Sequence, residues 1–228
     1  MGRFRPGVKM TVAVVLLVPL TITLGFWQLH RAAEKRAIEA ARLATYGTLP
    51  MDESHLDGAG EYTRFRLRGR FDGSRQFLVD NKIRHGVPGY LVMTPFETVG
   101  GKRVLIDRGW IAAPETRDKL PTSEPPTQLV SIVVMRWRDP TVPNTPDPWG
   151  DHWPKRVQFM DVQRMAAAAG GALPMELRLD EGQPGSLAQL VEGEEMTPTR
   201  HIAYAVQWFG MAVVLVVAFV AFGLRRKE

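Results

Sequence analysis

Two stretches decide the architecture: Met10–Leu29, MTVAVVLLVPLTITLGFWQL, and Arg200–Leu224, RHIAYAVQWFGMAVVLVVAFVAFGL. Neither 10–29 nor 202–224 contains a charged side chain. At about 1.5 Å per helical residue, each is long enough to cross a hydrocarbon core of about 30 Å. About 170 residues remain between them, enough for one sizeable core. The chain therefore divides into a tail over 1–9, a first transmembrane helix over 10–29, an extramembrane domain over 30–200, a second transmembrane helix over 202–224 and a tail over 225–228. His201, a side chain able to ligate a metal, stands at the threshold of the second helix. The first run is long for a cleaved signal, and Leu29–Tyr46 offers no A-x-A pair of small residues, so it reads as an uncleaved anchor.

The net charge of +5 sits on the tails. Of the 29 Lys and Arg, only Arg3, Arg5, Lys9, Arg225, Arg226 and Lys227 lie outside 31–200; of the 24 Asp and Glu, only Glu228 does. The middle domain is neutral, which excludes a nucleic-acid footprint on it. Short basic tails are retained in the cytoplasm, so both termini are expected there. The domain is then expected in the periplasm of a bacterium, or in the intermembrane space if the membrane is mitochondrial. Arg31, Lys35 and Arg36 oppose this orientation, but long loops weigh little in it. The chain has no cysteine. Disulfides, thiol redox chemistry and thiolate-based copper or zinc transfer are excluded together.

Within the domain, Arg31–Leu43 favours helix and is expected to continue the first span until Gly47 and Pro50 end it. Tyr62–Phe71 alternates strictly, with Phe65, Leu67 and Phe71 on one face and Arg64, Arg66, Arg68 and Arg70 on the other. That is a strand with one buried face. Its arginine row reads either as a solvated face with acidic neighbours or as a hold for an anionic ligand. Further strands are expected over 76–79, 90–94, 103–106, 128–137 and 173–179, with a turn-rich break at Arg84–Gly89 and a proline-rich loop over 140–154. A short helix is expected over 161–169, capped by Asp161 and stopped by Gly170-Gly171. The fold class is membrane α+β: two transmembrane helices flanking one β-rich extramembrane domain with few short helices.

No hydrolase, transferase or phosphate-binding motif stands out, and no two of the five histidines have metal-pair spacing. Asp80-Asn81-Lys82 and Asp107-Arg108-Gly109-Trp110 read as strand-end salt bridges rather than acid/base sites. His201 differs by position. A helix sets it in a stripe with Tyr204, Trp208 and Met211, with Gln207 to one side. Two readings remain open on spacing: an interfacial aromatic belt, or an axial ligand to haem iron. The first helix offers Trp27, Arg31 and Lys35 along one stripe, beside Gln28. These basic groups either pair with haem propionates or only snorkel.

Four blocks carry a family resemblance. They are Gly25-Phe26-Trp27-Gln28 with Arg31 and Lys35; Gly86–Phe96 (GVPGYLVMTPF); Val104–Ile111 (VLIDRGWI); and Arg200–Gly210 (RHIAYAVQWFG). In this order, inside a two-span layout, they resemble the surfeit-locus family of cytochrome c oxidase biogenesis proteins. The resemblance implies a non-enzymatic membrane assembly factor for haem-copper cytochrome c oxidase, which binds haem a and assists its insertion into subunit I. It implies His201 as the haem ligand; the helix stripes then offer Tyr204, Trp208 and Arg31 as further cofactor-contacting residues, and the missing cysteines fit the expectation of no copper or zinc site. Expected partners are oxidase subunit I, haem a synthase and the lipid bilayer, in a bacterial or mitochondrial inner membrane. Two alternatives stand beside it: a scaffold that stabilises newly inserted subunit I without haem, and an outward-facing domain that binds an anionic ligand or lipid through the Arg64–Arg70 row. The glycine, tyrosine and tryptophan of the middle blocks read as fold-determining first and as a docking surface for the oxidase second.

Overall fold

A computed structural model describes residues 6–116, 119–190 and 197–225. The tail residues Arg3, Arg5, Arg226, Lys227 and Glu228, on which part of the orientation argument rests, lie outside them. The chain separates into two units, one of residues 1–41 and 193–228, the other of residues 42–192.

Two long apolar helices flank a β-rich domain, as the sequence indicates. The first helix, α1, covers Val8–Tyr46, so the apolar run and the Ala/Glu/Lys/Arg segment after it form one continuous helix. The C-terminal helix covers Pro198–Arg225. Both are long and apolar enough to cross a membrane.

In the second unit the arginine-bearing strand β1 spans Arg64–Phe71, with Phe65, Leu67 and Phe71 buried inward. It is followed by β2 (Phe77–Arg84), β3 (Val87–Thr98), β4 (Arg103–Ala112), β5 (Val130–Arg136), β6 (Lys155–Val157), the helix α2 (Val162–Ala168) and β7 (Leu173–Leu179). The remaining C-terminal helix is α3. The strands run in the order β1-β5-β7-β4-β3-β2-β6, and β1 also pairs with β3. That extra pairing closes β1, β5, β7, β4 and β3 into a barrel-like ring. β3 makes closure possible through its length: its first half pairs with β2 over Val87–Met93, and its end pairs with β1 over Phe96–Thr98.

Gly69 lies where β1 meets β3. A Cβ there would stand 2.1 Å from the Glu97 carbonyl oxygen and 2.7 Å from the Phe96 ring. Only glycine lets the two backbones approach this closely. Phe71 and Phe96 meet edge to face beside it at 4.9 Å, a geometry that adds to simple burial. Inside the ring, Leu56, Phe65, Leu67, Phe96, Ile106, Ile132 and Leu177 are fully buried. On the other side of the sheet, α2 lays Val162, Met165 and Ala166 against Phe77, Met93 and Leu105. β4 is thus buried on both faces, which its continuous apolar run 104–106 reflects.

The structure departs from the sequence reading in three places. β2, β3 and β4 run longer than the apolar runs that announce them. Their extensions are held by ladder hydrogen bonds, and the chain turns from β2 to β3 through His85-Gly86, both at positive φ, as a two-residue hairpin requires. β6 pairs with β2 in parallel after the proline-rich loop, a three-residue strand too short to leave a pattern. Asp107–Trp110 lies within β4 rather than at its end. The helix α2 starts where expected: the Asp161 side chain accepts from the Arg164 amide at 3.0 Å.

Replacing Gly69 by Ala should cost about 3 kcal/mol through overpacking. For a domain of this size that lowers Tm by about 8 °C. Thermal unfolding of the full chain in detergent checks it; an unchanged Tm would show that the β1–β3 closure is not tight.

Candidate functional site

In lipid, helices gain nothing from burying apolar groups against each other, so small residues and interhelical hydrogen bonds decide their pairing. The buried residues of α1 are Thr21, Gly25, Gln28 and Ala32, spaced as a narrow heptad seam. Those of α3 include His201, Ala205 and Ala212, with Trp208 and Phe209 half-buried. The seams meet antiparallel. The Phe209 ring occupies the place of a Gly25 side chain, 2.6 Å from where a Cβ would stand, and meets Phe26 edge to face at 5.3 Å. The Thr21 hydroxyl donates back into its own helix, to the carbonyls of Leu17 and Val18.

One polar contact joins the two helices at this seam. His201 Nδ1 lies 2.6 Å from Gln28 Oε1, and both residues are buried. An amide oxygen can only accept, so Nδ1 carries the proton and donates. In a neutral ring the lone pair is then on Nε2. Nε2 is enclosed and has no hydrogen-bond partner among the described residues. Leaving such an atom unmatched costs about 1–3 kcal/mol.

The residues that the sequence places with His201 are distributed differently. Tyr204 and Met211 are exposed at 44% and 42%, and Trp208 is half-buried. The seam advances by four and then three or four residues, so the position three after His201 turns away from α1. On α1, Trp27 is exposed, Lys35 is half-buried, and the Arg31 guanidinium donates to Glu34 at 2.6 Å in an exposed pair. The residue that sequence reasoning passed over is Gln28. Its signal was available: it shares a heptad seam with Thr21, Gly25 and Ala32.

The donor set limits what His201 could hold. Among the described residues no three His, Asp or Glu converge as metal ligands. One imidazole nitrogen is too few for a bare ion but is what an iron already held by a macrocycle needs from the protein. Haem iron therefore fits the orphaned Nε2.

The blocks of the domain that carry the family resemblance are occupied largely by structural contacts. Arg108 is buried and donates to the carbonyls of Gly185 and Ser123, each at 2.8 Å. Burial pushes its guanidinium pKa down to about 10. Asp107 accepts from the Gly109 amide at 2.9 Å. The Trp110 indole donates to the Lys82 carbonyl at 2.8 Å, and its ring lies where a side chain on Gly89 would be. Asp80 pairs with Arg156 of β6. In the arginine row, Arg64 pairs with Asp180 at 2.5 Å, while Arg66, Arg68 and Arg70 are exposed.

A model of the SURF1 family matches residues 15–213, a span that takes in most of α1, the whole barrel and the first half of α3. The chain belongs to the SURF1 family. A SURF1-like protein of Rickettsia felis is 22% identical over 225 residues, covering 94% of this chain and 96% of its own length. An uncharacterised SURF1-like protein of Mycobacterium bovis is 27% identical, covering 98% of this chain and 88% of its own length. The Saccharomyces cerevisiae cytochrome oxidase assembly protein SHY1 is 29% identical over 140 residues, covering 57% of this chain and 36% of its own length. The surfeit-locus resemblance drawn from the four sequence blocks is thereby borne out over most of the chain.

In this SURF1 protein, replacing Arg108 by Leu should strand two carbonyls and cost about 3 kcal/mol, with Arg108→Lys intermediate. Denaturant titration of the full chain in detergent measures it; wild-type stability in the Leu variant would remove Arg108 from the fold's supports.

Proposed function

We propose that this protein is a membrane assembly factor for haem-copper cytochrome c oxidase, which holds haem a through His201 and assists its insertion into subunit I. Family membership and the oxidase-assembly role named for the yeast relative support the general role. The observation that carries the haem assignment is the bare, buried Nε2 of His201, whose opposite nitrogen is tied to Gln28. His201 would hold haem through Nε2, and the group would supply an iron able to accept a nitrogen ligand. This chain's part is to bind and orient. Gln28 holds the ring, the small residues Gly25, Ala32 and Ala205 keep the helix seam narrow, and the exposed Tyr204 and half-buried Trp208 give apolar and aromatic surface one and two turns along α3. Arg31, at the same end of α1, gives up an exposed pair of small value if its guanidinium turns to a haem propionate. Because Nε2 is enclosed, taking up iron requires the groups packed over it to move aside while Gln28 keeps its hold on Nδ1. The chain performs no chemical turnover in this role.

The basic tails support an orientation with both termini cytoplasmic and the barrel in the periplasm of an inner membrane. Oxidase subunit I is the partner that receives the haem, and haem a synthase is the source it is drawn from.

The test is expression in cells that make haem a, followed by purification in detergent. The wild type should show a haem absorption spectrum and His201→Ala should lose it. A haem-free wild type that still co-purifies with subunit I would favour the scaffold role instead. Undiminished haem in the variant would remove His201 as ligand. A reporter fused after Glu228 should be active only in its cytoplasmic form; periplasmic activity would reverse the orientation.

A further inference from the structure

We infer that Gln28 is the positioning residue that presents His201 to iron: by accepting the Nδ1 proton it fixes the tautomer in which Nε2 is bare. This deepens the haem reading above and rests on it. A purely structural contact between two apolar helices does not explain the arrangement. Gly25, Ala32, Ala205 and Ala212 already let the backbones approach, and a Leu pair in place of Gln28 and His201 would pack without any polar group. Instead the seam buries two polar side chains, joins them at 2.6 Å, and leaves one nitrogen with no partner among the described residues. That cost is explained if the nitrogen is kept for a ligand.

The chemistry of the pair gives the inference direction. A free neutral imidazole in water favours the proton on Nε2, the wrong form for iron bound at that atom. An acceptor on the Nδ1 side reverses the preference. It also makes the ring a better electron donor, as second-shell acceptors do for metal-bound histidines generally. An amide oxygen is a moderate acceptor. It fixes the ring without pulling the proton away as a carboxylate would, which suits a haem that has to be released again.

Three versions of the full chain test this in lipid nanodiscs: wild type, Gln28→Leu and Gln28→Glu. The first measurement needs no haem. Nitrogen-15 NMR of histidine-labelled protein at alkaline pH, with the His201 signals assigned by their loss in His201→Ala, reports which ring nitrogen carries the proton. The wild type and Gln28→Glu should carry it on Nδ1, and Gln28→Leu should shift it toward Nε2. A wild type protonated on Nε2, or a Leu variant unchanged from wild type, overturns the inference.

The second measurement adds haem. Gln28→Leu should bind it roughly 10-fold more weakly, within the range seen for second-shell losses. Its reduction potential should rise, while that of Gln28→Glu should fall. These shifts separate positioning from mere helix packing, because the Glu variant restores binding and still moves the potential. Equal affinities and potentials in all three overturn the inference while leaving His201 as ligand. A wild type with the expected tautomer that takes up no haem overturns the haem reading itself, and with it the assignment of Gln28 toward iron.

Discussion

In a bilayer every buried polar group has to find its partner in the protein, and the seam between α1 and α3 meets this rule at one place only by half. Thr21 satisfies itself within its helix. Gln28 and His201 satisfy each other through Nδ1, and Nε2 is left over. The functional account depends on that imbalance. Without Gln28 the ring has no fixed tautomer, and without Gly25 the Phe209 ring cannot lie against α1 at the spacing that brings position 28 opposite position 201.

The barrel domain rests on a constraint of another kind, the closure of a twisted sheet. Closure gives β1 a neighbour on each side, β5 and β3, and so removes an open edge that would otherwise be available to other chains. It asks for one long strand shared between two neighbours and one residue with no side chain at the crossing, and β3 and Gly69 supply them. The buried Arg108 ties the loops around Ser123 and Gly185 back to β4 with two hydrogen bonds. Its charge is costly there, as its lowered pKa records, and the two carbonyls offset that cost. Most polar groups of the blocks that mark the family in mid-chain are accounted for by fold contacts, with the Thr94 hydroxyl buried and unmatched among the described residues, and the unmatched imidazole nitrogen is on α3.

Much of this was legible in the sequence. The apolar runs, the alternation of β1 and the Asp161 cap each rest on a local period or a local hydrogen bond, so a short window contains the whole signal. β6 and the β1–β3 pairing do not, because they depend on segments far apart in the chain. His201 was legible by its place at a helix threshold, but its neighbours were not. Offsets of three and ten residues from His201 pointed to Tyr204 and Met211, whereas the packing seam runs through Ala205 and Ala212, and alanine carries no chemical signal of its own. Gln28 had a signal, the heptad spacing it shares with Thr21, Gly25 and Ala32, but nothing local marked that seam above the Trp27 stripe beside it.

The central claim is that a nitrogen of His201 is bonded to haem iron. Electron–nuclear double resonance tests it most directly, on the ferric, haem-loaded full chain with nitrogen-15 histidine and with His30→Gln, His55→Gln, His85→Gln and His152→Gln, so that His201 is the sole histidine. The account predicts a strong nitrogen-15 coupling of directly ligated imidazole. Bound haem with no histidine nitrogen coupling would contradict it.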